Sequence, residues 1–427
     1  MSYASTLRIG ALALCIAALS ACSKGPDNAP ADARTSTPEQ IARGRYLAKA
    51  ADCAACHTIP GGAPFAGGVR LGSPFGTFYG TNITPDPEHG IGKWTAAEFY
   101  KTLHDGVTPD KQLYPAMPYT SYRTMSRADS DAIYAYLMAQ KPAAVPDRKP
   151  DLKFPFNVRF AVMFWNMLFL KDSLPDASVG TSADWTRGKY LANALGHCAE
   201  CHTPRGLFGQ MNGAKALQGS DLGRVIPPDI TPAGLAARGW TGADLQTFFA
   251  TGISRQGPAF GEMHPVVFLS TQYLSPGDLR AMSVYLLGDA PPPPTPVQPV
   301  SADAAQVNKT AAGRNTYVAV CAGCHGLGGE GKPHVAVSMR GSSTLRQTDP
   351  HNLIAVMLDG MAAAEFAGTE SLQAMPGFAA TLDDEELAQL ANYLRSNWGG
   401  QPGDVTAATV KALRDSTPHV TSHAPSH

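Results

Sequence analysis

Apolar positions fall three and four apart near the end of the chain, as in Leu387, Leu390 and Leu394, and this spacing predicts an amphipathic helix. That helix starts near Thr381-x-x-Asp384, and two earlier ones start near Ser126-x-x-Asp129 and Ser275-x-x-Asp278. A hydroxyl residue three before an acid is a helix-start pattern. Each of the three helices ends on a tyrosine–leucine pair: Tyr136-Leu137, Tyr285-Leu286 and Tyr393-Leu394. Each is preceded, well upstream, by a helical stretch holding a glycine: "RGRYLAKAADC" (Gly44), "RGKYLANALGHC" (Gly188) and "AAGRNTYVAVC" (Gly313). A glycine on one helix lets another cross closely, so each early helix is expected to pack on the closing helix of its own repeat.

Two apolar runs break this pattern. Ile9 to Ala21 follows Arg8 and ends in "LSAC", Leu19 to Cys22. It is short for a membrane span and reads as an export signal. Two readings stand: a lipoprotein-type signal with Cys22 lipidated, or an ordinary signal peptide cut nearby. The second run, "FPFNVRFAVMFWNMLFLKD" (Phe154 to Asp172), is interrupted by Arg159 and Asn166. Lying at a membrane interface, docking a partner and burial between repeats are its three readings.

The resulting organisation is a signal (1–22), a polar tether (23–38), a first domain (39–145) and a connector with the apolar run (146–181). A second domain (182–290), a Pro-rich linker (291–301), a third domain (302–400) and a tail (401–427) complete it. The linker, containing "PPPPTPVQPV", is expected to be a stiff spacer of roughly 30 Å. The first two domains share a stretch, "TNITPDPEHGIGKWTAAEF" against "PPDITPAGLAARGWTGADL", that the third lacks. Composition adds that the chain is loop-rich, with 42 glycines and 35 prolines in 427 residues. Lys and Arg total 34 against 35 Asp and Glu, so no nucleic-acid partner is indicated.

The cysteines decide the chemistry. Beyond Cys15 and Cys22, all six lie in three copies of Cys-x-x-Cys-His: Cys53/Cys56/His57, Cys198/Cys201/His202 and Cys321/Cys324/His325. That is the attachment motif of c-type haem, with two thioethers to one porphyrin and the adjacent histidine as proximal iron ligand. A thioredoxin-like pair would want a βαβ context, and a zinc site would draw two pairs together. The fold expected is therefore mainly α and loop-rich: three tandem class I cytochrome c-like domains, each around one covalent haem.

A sixth, thioether ligand raises the iron potential. Met117 in "LYPAMPYTSY" lies 60 residues past His57, Met263 in "PAFGEMHPV" 61 past His202, and Met375 in "LQAMPGF" 50 past His325. His264 is the alternative to Met263. Met125, Met357 and Met361 are weaker candidates, within or beside predicted helices. Asn82, Thr84, Asp229 and Thr231 fit either haem-propionate bonding or plain turns. Trp94 and Trp240, each just before a predicted N-cap, are expected to wall the crevices.

From about Thr37 to Gly400 the chain resembles the triheme cytochrome c subunit of bacterial membrane-bound dehydrogenases, of the alcohol, gluconate and sugar-alcohol type. The carrying residues are the three motifs with "YGTNITPD", "LYPAMPY", "CHTPRG", "STQYLS" and "AMPGF". The resemblance implies haem thioethers at the six motif cysteines, proximal His57, His202 and His325, and distal Met117, Met263 and Met375. It implies a subunit that does no substrate chemistry itself. Such a subunit takes electrons from a catalytic subunit with a flavin or quinone cofactor and passes them to ubiquinone or a terminal oxidase. The place implied is the periplasmic face of the cytoplasmic membrane, held by lipid at Cys22 or by the partner. The rival expectations are a cytochrome c subunit of a terminal oxidase and a multihaem peroxidase or reductase with one open iron.

Overall fold

A computed structural model describes residues 36–173, 175–296, 304–368 and 370–416. The signal, Cys22, the tether up to residue 35, part of the Pro-rich linker and the chain beyond 416 lie outside the described residues.

The three glycine-bearing helices pack as their sequences require. Pro38–Ala50 crosses Arg127–Met138, Ala183–Lys189 crosses Pro276–Leu287, and Ala304–Val320 crosses Asp384–Leu394. A Cβ on Gly44 would lie 1.9 Å from the carbonyl oxygen of Ala132; on Gly188, 1.9 Å from that of Ala281; on Gly313, 2.0 Å from that of Gln389. Backbone therefore touches backbone at each crossing.

Ser126 and Ser275 cap their helices as expected, accepting from the N–H groups of Asp129 and Asp278 at 3.1 Å. The third start is corrected. Asp383, not Thr381, is the cap, and Glu386 returns a bond to its N–H in a full capping box. A carboxylate accepts from free helical N–H groups as well as a hydroxyl does, so the acid displaced the threonine two residues upstream.

The acids Asp129 and Asp278 do something the local pattern did not contain. Arg43 and Asp129 form an ion pair, and Asp129 also accepts from the hydroxyl of Tyr190 in the second repeat at 2.6 Å. Arg187 holds Asp278 through two bonds of 2.8 Å, and Asp278 accepts from the hydroxyl of Tyr46 in the first repeat at 2.6 Å. Each tyrosine also accepts from the N–H of the opposite cap, Ser126 or Ser275. The first two repeats thus clasp each other reciprocally, and one apolar core runs from Leu47 to Leu287.

A second core spans Tyr317 to Leu413. Its last members belong to a helix, Ala407–Asp415, that buries Val410 and Leu413. The tail expected from 401 is corrected accordingly: so short an amphipathic stretch does not stand out against the polar end of the chain. Arg224 ties this core to the second repeat. Its side chain is 6 % exposed, grips Asp359 through Nε and Nη2, and donates from Nη1 to the Leu413 carbonyl and the Ser416 hydroxyl. Arg346 donates to the Thr295 carbonyl at 2.5 Å, and the N–H of Thr295 donates to Ala236 at 2.8 Å. Thr295 of the Pro-rich linker is therefore bonded to both the second and the third repeat. Arg224→Ala is expected to lower stability by about 2–3 kcal/mol, read as a lower urea midpoint for the third-repeat signal.

The connector is also stitched in. Asp151–Leu152 adds a strand to the antiparallel hairpin Arg70–Ser73/Gly76–Tyr79, pairing Gly76 with Leu152 and Thr77 with Asp151. The apolar run after it forms the helix Ala161–Phe169. It leans on the first repeat through Tyr119, whose hydroxyl donates to Asn166 at 2.8 Å, and on the second through Trp165, whose indole donates to the Phe208 carbonyl. Burial is nevertheless not its fate: Phe160, Met163, Phe164, Met167 and Leu168 are exposed, and Val162 alone in the helix is buried. Among the described residues no helix is long and apolar enough to cross a membrane.

Candidate haem sites

Each Cys-x-x-Cys-His segment is one short helical turn: Cys53–His57, Ala199–His202 after Cys198, and Ala322–His325 after Cys321. In the first two, the residue before the first cysteine is left-handed (Asp52, φ 50°; His197, φ 40°). This turns the chain sharply out of the preceding helix.

The three histidines share one environment. Nδ1 of His57 lies 2.6 Å from the Thr81 carbonyl, Nδ1 of His202 2.8 Å from that of Pro228, and Nδ1 of His325 3.2 Å from that of Val337. A carbonyl can only accept, so each Nδ1 carries the proton and donates. That tautomer leaves Nε2 as a lone pair. Burial holds all three imidazoles below their ordinary pKa, His202 at about 4, so the rings are neutral at neutral pH. A fixed neutral imidazole with an anchored second nitrogen is the arrangement of a metal-ligating histidine. Sequence reasoning misses Thr81, Pro228 and Val337. The echo between "TNITPD" and "PPDITP" marks the first two, and nothing marks Val337.

The cysteines fit the same group. None of the six forms a disulfide. Burial pushes the thiols of Cys53, Cys56 and Cys198 up to about 12 and that of Cys321 up to about 11, opposite to the depressed value of a redox-active or zinc-binding thiol. In the third motif Cys321 is buried at the end of its helix and its partner Cys324 is exposed. Gly323, the residue before Cys324, has no atom within 4 Å of where a Cβ would stand, while Glu200, at the same position in the second motif, is held by the first repeat. Cys201 is exposed as a residue too, yet burial of its thiol still pushes it up to about 11.

Among the described residues no three His, Cys, Asp or Glu side chains are arranged to hold a metal ion. Paired thiols beside an open, neutral Nε2 fit covalently held haem, which when bound supplies one-electron chemistry at iron.

The methionines sit on loops of different build. Met117 is half-buried against the shared core, on a tight arm where its N–H donates to Tyr114 and its carbonyl accepts from Tyr119 at 2.7 Å. Met375 exchanges two backbone bonds of 2.9 Å with Met361. Gly360, at φ +72°, permits this, since a Cβ there would lie 2.3 Å from the Met375 carbonyl. Met263 opens a short helical turn. Its neighbour His264 points to the third repeat: Nε2 lies 3.0 Å from the Glu365 carbonyl, and the ring packs on Phe268 and Phe366. Met125 and Met357 are 3 % and 2 % exposed and fill the cores.

The candidate propionate partners make bonds within their own turns. Asn82 donates to the carbonyls of Ala143 and Val145 and accepts from Thr84, while Thr84 accepts from the N–H of Ala143. Asp229 accepts from the N–H of Thr231, whose hydroxyl caps the helix Pro232–Ala237. Trp94 and Trp240 precede capping boxes at Thr95/Glu98 and Thr241/Asp244. The Trp240 indole donates to Ser343 of the third repeat at 2.9 Å.

The first two motifs lie close together: Cys56, Cys201 and Glu262 are within electrostatic reach of one another. Glu200, between Cys198 and Cys201, accepts from Thr120 and Ser121 of the first repeat.

Comparison with known proteins agrees with this chemistry. The profile of the family described as cytochrome C oxidase, cbb3-type, subunit III matches residues 39–137 and 308–394. The chain is 37% identical over 402 residues to the cytochrome c subunit of the quinone-type alcohol dehydrogenase of Gluconacetobacter polyoxogenes, covering 90% of this chain and 86% of that one. It is 37% identical over 404 residues to the fructose dehydrogenase cytochrome subunit of Gluconobacter japonicus, covering 88% and 82%. It is 36% identical over 405 residues to the gluconate 2-dehydrogenase cytochrome c subunit of Pantoea cypripedii, covering 88% and 89%. With imidazoles and thiols set as a haem c protein needs them, and relatives matched along most of their length, the chain belongs to the family of cytochrome c subunits of dehydrogenases.

Proposed function

We propose that this chain is the electron-transfer subunit of a dehydrogenase complex, carrying three haem c groups in three cytochrome c domains. The observation that carries the reading is the repeated histidine geometry, Nδ1 on a carbonyl and Nε2 open, at all three motifs. Cys53/Cys56, Cys198/Cys201 and Cys321/Cys324 hold the haems, Cys324 from an exposed position. His57, His202 and His325 are the proximal ligands, and Met117, Met263 and Met375 the distal ones. The engagement of His264 with Glu365 and Phe366 favours Met263 in the second domain.

Electrons come from a catalytic subunit with a flavin or quinone cofactor and leave towards ubiquinone or a terminal oxidase. The chain is exported and held at the periplasmic face of the cytoplasmic membrane. Lipid at Cys22 and the exposed apolar face of Ala161–Phe169 act together, since one acyl chain alone binds a membrane only marginally.

The test is to tag the C-terminus, solubilise membranes gently, identify what co-purifies, and add alcohols, aldoses, gluconate and aldehydes while following the reduced haem c band. A co-purifying flavin or quinone subunit, with reduction by one substrate class, is the expected result. The oxidase-type family profile favours a second reading, a cytochrome c subunit of a terminal oxidase. Co-purifying haem–copper subunits and no substrate reduction would establish that instead.

A further inference from the structure

Glu200 occupies the variable position just before the second cysteine of its motif. The same position holds Ala55 in the first motif and Gly323 in the third, so haem attachment does not call for an acid there. Its carboxylate is nevertheless 10 % exposed and fully engaged. One oxygen accepts from the hydroxyls of Thr120 and Ser121, the latter at 3.0 Å. The other accepts from Arg205 at 2.5 Å, and the same guanidinium nitrogen donates to the Glu200 backbone carbonyl at 2.6 Å.

Thr120 and Ser121 belong to the helical turn Tyr119–Tyr122, which begins two residues after Met117. The remaining anchors of that turn are Tyr119, bonded to Asn166, and Tyr122, whose hydroxyl donates to the Ala51 carbonyl at 2.6 Å. The Tyr122 ring also meets His197 edge-on at 5.7 Å. The loop bearing the distal ligand of the first repeat is thus pinned by the residue between the two haem cysteines of the second. Two hydroxyls on residues 8 % and 0 % exposed have this carboxylate as their side-chain acceptor, and losing a buried partner is what makes such a bond matter.

We infer that Glu200 is a positioning residue that holds the Met117 arm against the first haem from the attachment segment of the second, so that distal ligation of the one depends on the other's domain. The inference rests on the methionine-ligation reading proposed above.

The test uses the full haem-loaded chain with Glu200→Ala, Glu200→Gln and the double variant Thr120→Val/Ser121→Ala. The readouts are haem content, the far-red methionine-to-iron charge-transfer band of the oxidised protein, and a redox titration. Glu200→Ala is expected to keep its covalent haems, lose the share of the band due to one haem, and lower one potential while the others hold. The double variant should do the same while leaving the Glu200–Arg205 pair in place, which keeps the test decisive even if Glu200→Ala does not fold. Glu200→Gln should retain the band, because its amide oxygen still accepts from both hydroxyls. A full band and unmoved potentials in the alanine and double variants would overturn the inference alone. A wild-type chain without the band would contradict methionine ligation itself and remove the basis of the inference with it.

Discussion

Alanine in place of Gly44, Gly188 or Gly313 is expected to destabilise the fold by about 3 kcal/mol or more, near the upper end of what overpacking does. The atom met in each case is a backbone carbonyl, at 1.9, 1.9 and 2.0 Å from the added Cβ. A crowded side chain can change rotamer, but a helical carbonyl is fixed by its own hydrogen bond. The two helices must then part, and the side chains packed across the crossing lose contact with them. Gly242→Ala is the matched control, because the nearest atom to its Cβ is a Leu287 methyl at 3.8 Å. It should be neutral or slightly stabilising. Urea denaturation of the four variants measures this, and a loss below about 0.5 kcal/mol at the crossings would contradict the packing described.

Met375→Ala is expected to lower the potential of one haem by on the order of 0.1–0.2 V, a part of the range of about 0.8 V that axial ligands span. The other potentials should hold, and so should the identity of the compound oxidised upstream. Met357→Ala is the informative contrast. That side chain is 2 % exposed and lies in the second core, so its loss should cost about 2–4 kcal/mol of stability and move no potential. A redox titration of Met375→Ala that overlays the wild type would remove Met375 from the ligand set.

What could be read from the sequence was local. Gly44, Gly188 and Gly313 announce the helix crossings because close approach needs a missing Cβ, and the glycine lies within the helix it serves. The motif cysteines and histidines announce themselves by spacing alone, but spacing is blind to shelter, so the exposure of Cys324 beside a buried Cys321 is legible only in the fold. The rest was set by contacts across long stretches of chain. Asp129 and Asp278 look like the acids of ordinary capping boxes, and only the fold shows them held by Tyr190 and Tyr46 of the opposite repeat. Arg224 is one arginine among many until Asp359 and Leu413 arrive beside it. The Met117 arm is visible as a proline-flanked methionine, whereas its anchor, Glu200, carries no signal beyond being an acid where the sister motifs have alanine and glycine. The apolar run 154–172 leaves three readings open because hydrophobicity says that a face needs covering, not by what. The fold removes burial among the repeats and leaves the face exposed.

The most direct test of the central claim is the intact mass of the purified chain under denaturing and reducing conditions, followed by alkylation. Three covalent haems predict the mature polypeptide plus three haem groups, with all six motif cysteines refusing the alkylating reagent. A mass with fewer haem groups, or motif cysteines that alkylate freely after reduction, would contradict the three-haem account.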